Sequence, residues 1–390
     1  MKKKNLFLFM LLLLSSYYDM DAQDVSPVKI PFETALNTTK ELVLSQIAAD
    51  VKIVPLETTE NCLLSKVKAG AIQMIGHDIY IPCDMGLLQF SDDGKFVCSV
   101  SRKGQGPGEY ANIRYVAVDR VQKQIHLLTN GKVLVFSSEG KSLREARFPM
   151  VWQLELLGQD TYVSYVYNGN GKKREKIVLS NMKGEQINTF PQYDQFTVPS
   201  GMTFYNTDPY LYQFAGNTCL KEFYNDTVFT VKKDKLIPRY ILDMGKYRLP
   251  DKYRFEVLDG NWERFNEVSA PYWRPNMVET TRSVFVPYSP WKFEDRIKGR
   301  KLVVYDKKGK SSYNVKGGYI KNDMNSRLPF YPNIQTTDDV VINLWEATDI
   351  LELTKKDPAL LEHKALQNLK EDDNPVLIIV TMKNTNKENR

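Results

Sequence analysis

The sequence predicts an all-β fold: a six-bladed β-propeller whose N-terminal strand closes the last blade, with a helical insertion and a C-terminal helix. Two observations carry this. A strand, a turn ending in a small residue and a second strand recur around Gly94, Gly140, Gly184, Asp234 and Gly309, at steps of 46, 44, 50 and 75 residues. Periods of about 40 to 50 residues with several strands each are propeller periods. The chain is also rich in Tyr (22) and Phe (18) and poor in long amphipathic patterns, which favours pleated surfaces over helices. At 390 residues, 42% hydrophobic and 26% charged, the composition is globular. One closed ring accounts for the length better than two or three separate domains.

In chain order, Lys2, Lys3 and Lys4 precede the apolar run Leu6 to Leu14. A basic start and an apolar stretch too short for a helix of about 20 residues across a bilayer make a signal peptide. Residues 1–22 are assigned to it, with cleavage after Ala22 and residues 23–49 as a linker. The expected location is periplasmic or extracellular, with no transmembrane span in the mature chain. Because Cys62 is the first cysteine, the lipid-accepting residue of a lipoprotein is absent. Losing residues 1–22 removes three lysines and two aspartates and leaves a charge of +5 against +6 for the whole chain. That bias is weak and the basic clusters are short, so nucleic acid is not an expected partner.

The propeller is placed over residues 50–383, before a tail of 384–390. Blade 1 takes strands over Leu63–Ile75, Asp78–Pro82, Gly86–Phe90 and Lys95–Ser101. Blade 2 runs Tyr115–Phe148, blade 3 Val151–Phe190, blade 4 Gly201–Leu242 and blade 5 Met277–Val315. The long step before Gly309 holds an insertion at about 246–275, where Tyr253, Val257, Trp262 and Phe265 read as helical. Blade 6 begins with Tyr331–Thr337 and Val340–Glu346, continues through a helix over Lys355–Leu369 and ends in the β-branched strand after Pro375. It lacks one strand, and Asp50–Leu56 is a strand without a blade. Placing that strand on the outside of blade 6 closes the ring and hides its edge.

Between blades 1 and 2 lies Gly104-Gln105-Gly106-Pro107-Gly108-Glu109-Tyr110. Three glycines around a proline suit a tight reversal, whereas a phosphate cradle would need a following Lys-Ser/Thr pair and a helix. This motif with Val116-Ala117-Val118-Asp119, Ile125-His126-Leu127-Leu128 and Val133-Leu134-Val135-Phe136 resembles one NHL-type propeller repeat. Together with Asn225-Asp226-Thr227-Val228-Phe229 and Asp372-Asp373-Asn374-Pro375-Val376-Leu377, it resembles the six-bladed propeller proteins of Bacteroidetes over the whole mature chain. That resemblance implies fold and export and adds little chemistry.

Catalytic and metal signatures are sparse. His77, His126 and His363 are scattered, and neither Gly-x-Ser-x-Gly nor His-Glu-x-x-His occurs. The acidic pairs Asp92-Asp93, Asp338-Asp339 and Asp372-Asp373 read as turn residues. No cofactor is expected; calcium is the one metal such turns could hold, although none has the ligand spacing of an EF-hand loop. No CxxC occurs among Cys62, Cys83, Cys98 and Cys219, which speaks against zinc. Cys83 and Cys98 sit on strands separated by a third, about 9.6 Å apart and beyond the ~7 Å Cα limit of a disulfide, so they read as buried free thiols. The state of Cys62 and Cys219 stays open.

One local excess stands out: Trp262, Trp273 and Trp291, with Tyr253, Phe255, Phe265, Tyr272 and Tyr288, crowd the inserted region. These residues either seat the insertion or form a ligand platform. On the second reading Trp262, Tyr272, Trp273 and Trp291 are the flat surfaces, with Glu263, Arg264 and Arg274 as polar contacts. The expected function is a monomeric, exported, non-enzymatic propeller that binds a glycan, peptide or protein partner through its loop face. The alternative is a polysaccharide hydrolase or lyase whose residues converge on the central channel from several blades.

Overall fold

The computed structural model describes residues 26–104, 106, 108–149, 151–198, 211–256, 262–292 and 299–384. Six antiparallel sheets form the six blades of a propeller, each running from an inner strand at the axis to an outer strand at the rim. Blade 2 is the simplest, with Tyr115–Asp119, Gln124–Leu128, Lys132–Ser137 and Ser142–Arg147 in sequential order. Blade 6 closes the ring as expected: Ala48–Pro55 pairs antiparallel with Val376–Met382, with Ile53 opposite Ile378.

The pleat explains how one strand serves two blade interfaces, because successive side chains point to opposite faces. Ile79 and Ile81 pack against blade 6, while Tyr80 between them packs against blade 2. Val376, Ile378 and Val380 face blade 5, and Leu377 and Ile379 face blade 1. Central strands are therefore apolar on both faces, as in Val376-Leu377-Ile378 at 0% exposure. Each such side chain contributes about 1.5–3 kcal/mol on burial. The outer strand Ser142–Arg147 is exposed along most of its length and carries Arg144, Glu145 and Arg147, which blunt an otherwise open edge.

Three segments differ from expectation. Of the expected linker 23–49, residues 26–49 are described and are not one: Val28–Ile30 adds parallel to the rim of blade 4 and Thr39–Lys40 to that of blade 5. Ile30, Phe32 and Leu44 are fully buried there, so the segment belongs to the ring. The first strand of blade 1 is only Gln73–Ile75, not Leu63–Ile75. Upstream, Ala69–Ala71 is a 3₁₀ turn, and Asn374 holds the preceding loop: its amide donates to the carbonyls of Glu57 and Cys62 and accepts from Leu64 N–H. The helix of blade 6 is Ala347–Thr354, not Lys355–Leu369. Asp357 precedes Pro358 and is driven out of helical geometry (φ −136°), after which only a short 3₁₀ turn, Pro358–Glu362, forms. Leu360 is nonetheless buried, and Leu361, Ala365 and Leu369 pack on the same core.

In the insertion, Asp251–Tyr253 is a 3₁₀ turn and Trp262–Ser269 a helix; Val257 lies outside the described residues. All four cysteines are free, with Cys98 only half-buried. Among the described residues no helix is long and apolar enough to cross a membrane.

Candidate functional site

Inner strands of all six blades begin on the same face, which also carries the connections between blades. The Gly104–Tyr110 turn lies there. Gly104 N–H donates to Tyr110 O (3.1 Å), and Gly106 N–H donates to the Glu109 carboxylate (2.9 Å). Only Gly108 needs a left-handed φ (+73°); a Cβ on Gly104 would lie 1.9 Å from Glu109 Oε2, so that glycine provides room. Tyr110 is buried, and its hydroxyl accepts from Leu87 N–H at 3.0 Å, pinning the turn to blade 1. Gln105 and Pro107 lie outside the described residues. The motif is a structural reversal.

At the axis this face opens into a funnel of about 940 Å³, walled by residues of blades 1, 2, 3, 5 and 6. Its charged lining is Lys68, Arg114, Arg274 and Arg300; among its described residues there is no Asp, Glu or His. Burial, then the neighbouring Arg114, holds the Lys68 ammonium below its ordinary value. Burial raises the hydroxyl of Tyr331, while Arg300 and Arg274 pull it down, and the Arg300 guanidinium lies 5.6 Å from the Tyr331 ring centre. Amides of Asn112, Gln153 and Asn333 complete the polar surface.

Beneath the funnel, long polar side chains from the inner strands cross the channel. Gln213 Nε2 donates to Glu155 Oε2 (3.2 Å), Gln335 Nε2 to Gln213 O (3.0 Å) and Arg120 Nη2 to Gln73 Oε1 (3.1 Å). Glu155 lies two residues past Gln153 on the same strand face and accepts from the Tyr115 hydroxyl at 3.2 Å. Burial pushes its carboxyl up to about 7, against the opposing pull of Gln213, Arg120 and Tyr115. Glu279 is fully buried between Arg239 (2.6 Å) and Lys307 (2.7 Å) and stays ionised because those cations and the Tyr240 hydroxyl (2.8 Å) compensate its desolvation.

A second depression of about 970 Å³ lies on the same face between blades 3 and 4. It is aromatic: Tyr167, Tyr193, Phe196, Tyr224, Phe229 and Phe255 are among its walls. Arg254 of the insertion enters it, 4.0 Å from the Tyr224 ring centre and about equally close to Phe196 (5.0 Å) and Phe255 (4.9 Å). Asp194 grips that guanidinium with both oxygens, at 3.0 and 2.7 Å. Every other charged lining residue is paired too: Lys176 with Glu222 (2.6 Å), and Arg248 with Asp226 (3.1 Å) and Asp251 (3.2 Å).

The residues expected to form a platform separate. Trp291 is 3% exposed, stacked on Tyr224 and edge-on to Phe223, and donates Nε1–H to Trp273 O at 2.9 Å. With Leu249, Phe265 and Tyr272 it forms a satellite core that seats the insertion, so its ring is not a ligand surface. Trp273 is half-buried edge-on against Tyr288. Trp262 (48% exposed) and Arg264, which pairs with Glu267 at 2.8 Å, sit on the helix and line neither depression. Arg274 alone reaches the funnel. Of the groove aromatics only Phe255 stands out in the sequence; Lys68, Arg114 and Arg300 do not, since basic residues scattered through different blades carry no local signal of convergence. The fragment Asn225–Phe229, however, does line the groove. Among the described residues, no three His, Cys, Asp or Glu side chains group as metal ligands.

A family model described as a domain of unknown function (DUF4934) matches residues 27–381. The chain is similar in fold to a crystal structure described as an exported protein of Bacteroides fragilis, at 17% identity and a TM-score of 0.67, covering 92% of this chain and all of that one. A protein of unknown function from Bacteroides caccae aligns at 11% identity and a TM-score of 0.41, covering 65% of this chain and 84% of that one. No curated protein matches.

Proposed function

We propose that this chain, which belongs to the family described as a domain of unknown function, DUF4934, is an exported propeller that binds a glycan, peptide or protein through its loop face and does not transform it. The funnel carries this reading. It is a cavity of about 940 Å³ on the axis, walled from five of the six blades, with cationic, amide and aromatic side chains converging from distant parts of the sequence. Such a concave site on a preformed scaffold is a default binding site. Lys2–Lys4 and the apolar run Leu6–Leu14 support export through a signal peptide cleaved near Ala22.

The test is a thermal-shift screen of the mature protein against glycans and peptides, with and without calcium. Stabilisation by one ligand class, reduced by substitutions in the funnel, is the expected result. A ligand whose binding is indifferent to the whole loop face would refute the proposal. The catalytic alternative has on its side a buried carboxyl beneath the funnel, Glu155, which accepts from the Tyr115 hydroxyl at 3.2 Å and which burial pushes up to about 7. New reducing ends released from a polysaccharide by the wild type, and abolished in Glu155→Gln, would replace binding with hydrolysis or lysis.

A further inference from the structure

We infer that the groove between blades 3 and 4 binds an uncharged oligosaccharide, one pyranose ring lying against its aromatic wall and the chain running towards the funnel. This deepens the loop-face reading and rests on it.

Charge balance is the first argument. The groove's described lining carries three cations and four carboxylates, and each is paired within the chain: Lys176 with Glu222, Arg254 with Asp194, and Arg248 with Asp226 and Asp251. A charged ligand would have to displace one of these partners and strand its mate. An uncharged one leaves all of them in place.

Hydrogen-bonding capacity narrows the class. The buried Lys176 ammonium gives one N–H to Glu222 at 2.6 Å and has no second acceptor among the described residues. Arg254 holds Asp194 through Nη1 and Nη2, while its buried Nε–H meets no acceptor among the described residues. Asp226 and Asp251 each spend one oxygen on Arg248 and keep the other. The groove therefore offers unused donors and unused acceptors together. Hydroxyls, which donate and accept, meet both, whereas a polyproline segment, which also suits an aromatic groove, has no N–H for the acceptors.

Ring faces complete the fit. Tyr193 is 82% exposed and Phe229 half-buried, flat apolar surfaces suited to the C–H face of a pyranose. Tyr167 of the groove stacks on Trp152 of the funnel, with ring centres 4.7 Å apart and planes 27° from parallel. That stack carries the aromatic wall from the groove to the funnel, which suits a chain of linked rings better than a single sugar.

Isothermal titration of the full mature protein with neutral oligosaccharides of the cello-, xylo-, manno- and malto- series, with oligogalacturonate and with polyproline tests this. One neutral series should bind, more tightly as its chain lengthens, with an affinity that salt leaves unchanged. Tyr193→Ala should lower that affinity about two- to tenfold, and Tyr193→Phe should retain it. Lys176→Met combined with Glu222→Gln removes the buried pair without stranding either charge, and should lower the affinity about ten- to a hundredfold. Unliganded melting temperatures identify any variant that has lost its fold, and exposed Tyr193 keeps the test valid if the double variant unfolds. Polyproline binding that Tyr193→Ala weakens, with no sugar bound, would overturn the oligosaccharide and keep the groove as a site. Binding of oligogalacturonate alone, weakened by salt and by Arg300→Ala but not by Tyr193→Ala, would overturn the inference and leave the loop-face reading in place, as would failure of every neutral series to bind. A neutral sugar whose binding none of these variants weakens would lie off this face and overturn both.

Discussion

Two buried groups whose proton affinities burial shifts in opposite directions, His126 between blades 2 and 3 and Glu155 in the channel, make the pH dependence of stability a sharp test of the packing. Burial lowers His126 from 6.5 to about 4, with Arg144 adding to the effect, and its Nδ1 lies 2.7 Å from the Tyr162 hydroxyl. Burial raises Glu155 from 4.5 to about 7. For His126 the unfolded chain binds more protons between about 4 and 6.5, so its contribution is complete above 6.5 and disappears as pH falls towards 4. For Glu155 the folded chain binds more protons between 4.5 and about 7, so its contribution is complete below 4.5 and disappears as pH rises to about 7. Each interval converts to about 3 kcal/mol. Over the shared window the two slopes oppose each other, and these groups leave wild-type stability nearly flat. Urea unfolding across pH 4 to 7 (about 4 to about 7, the range set by the two groups) reads this directly. Glu155→Gln should expose the histidine, with stability rising by about 3 kcal/mol as pH rises. His126→Gln should expose the carboxyl, with stability falling by a similar amount. Parallel profiles for the wild type and both variants would refute the burial argument for both groups.

Removing the carboxylate at the blade 4–5 junction strands two cations, so Glu279→Ala should cost about 3–5 kcal/mol in urea unfolding; a loss below 1 kcal/mol would mean water already reaches Arg239 and Lys307. Ile378→Ala, at the fully buried centre of Val376–Met382 opposite Ile53 of Ala48–Pro55, should cost about 2–5 kcal/mol, and an unchanged denaturation midpoint would argue against its burial between that pairing and blade 5. Tyr110→Phe leaves the N–H of Leu87 without its acceptor and should cost about 1–3 kcal/mol. If the melting temperature is unmoved, the hydroxyl is not what pins the Gly104–Tyr110 turn.

The ring was legible because its signals are local and repeated. Each turn glycine falls between strands whose alternate residues feed two interfaces, so Ile79, Tyr80 and Ile81 announce a doubly buried strand before any partner is known. Even the closure could be read, because a strand without a blade met a blade without a strand. What failed was decided by single side chains distant in sequence. Asn374 holds a loop more than three hundred residues upstream, ahead of the shortened first strand of blade 1, and Pro358 divides an apolar spacing that is otherwise helical. The site was less legible still. Tryptophans point to the insertion, yet burial makes Trp291 a packing residue, while the funnel's cations come from separate parts of the sequence on blades 1, 2 and 5 that only the fold brings together.

That distribution also explains how a rigid ring can carry a specific site. Inner strands fix where each connection starts, and the polar crossing through Glu155, Gln213 and Gln335 ties blades 3, 4 and 6 together across the channel beneath the funnel. The loops above contribute side chains without paying for the scaffold. The insertion adds the one long-range constraint. Its satellite core around Phe265 and Trp291 anchors it on blades 4 and 5, and from there Arg254 reaches Asp194 beyond the last strand of blade 3. Arg254 thus links the walls of the groove, so its loss should widen the groove without disturbing the funnel. Arg254→Ala should therefore weaken ligands that use the aromatic walls about two- to tenfold and leave the salt-dependent part of binding unchanged. Equal loss of both would mean that the two depressions form one site whose shape the insertion sets.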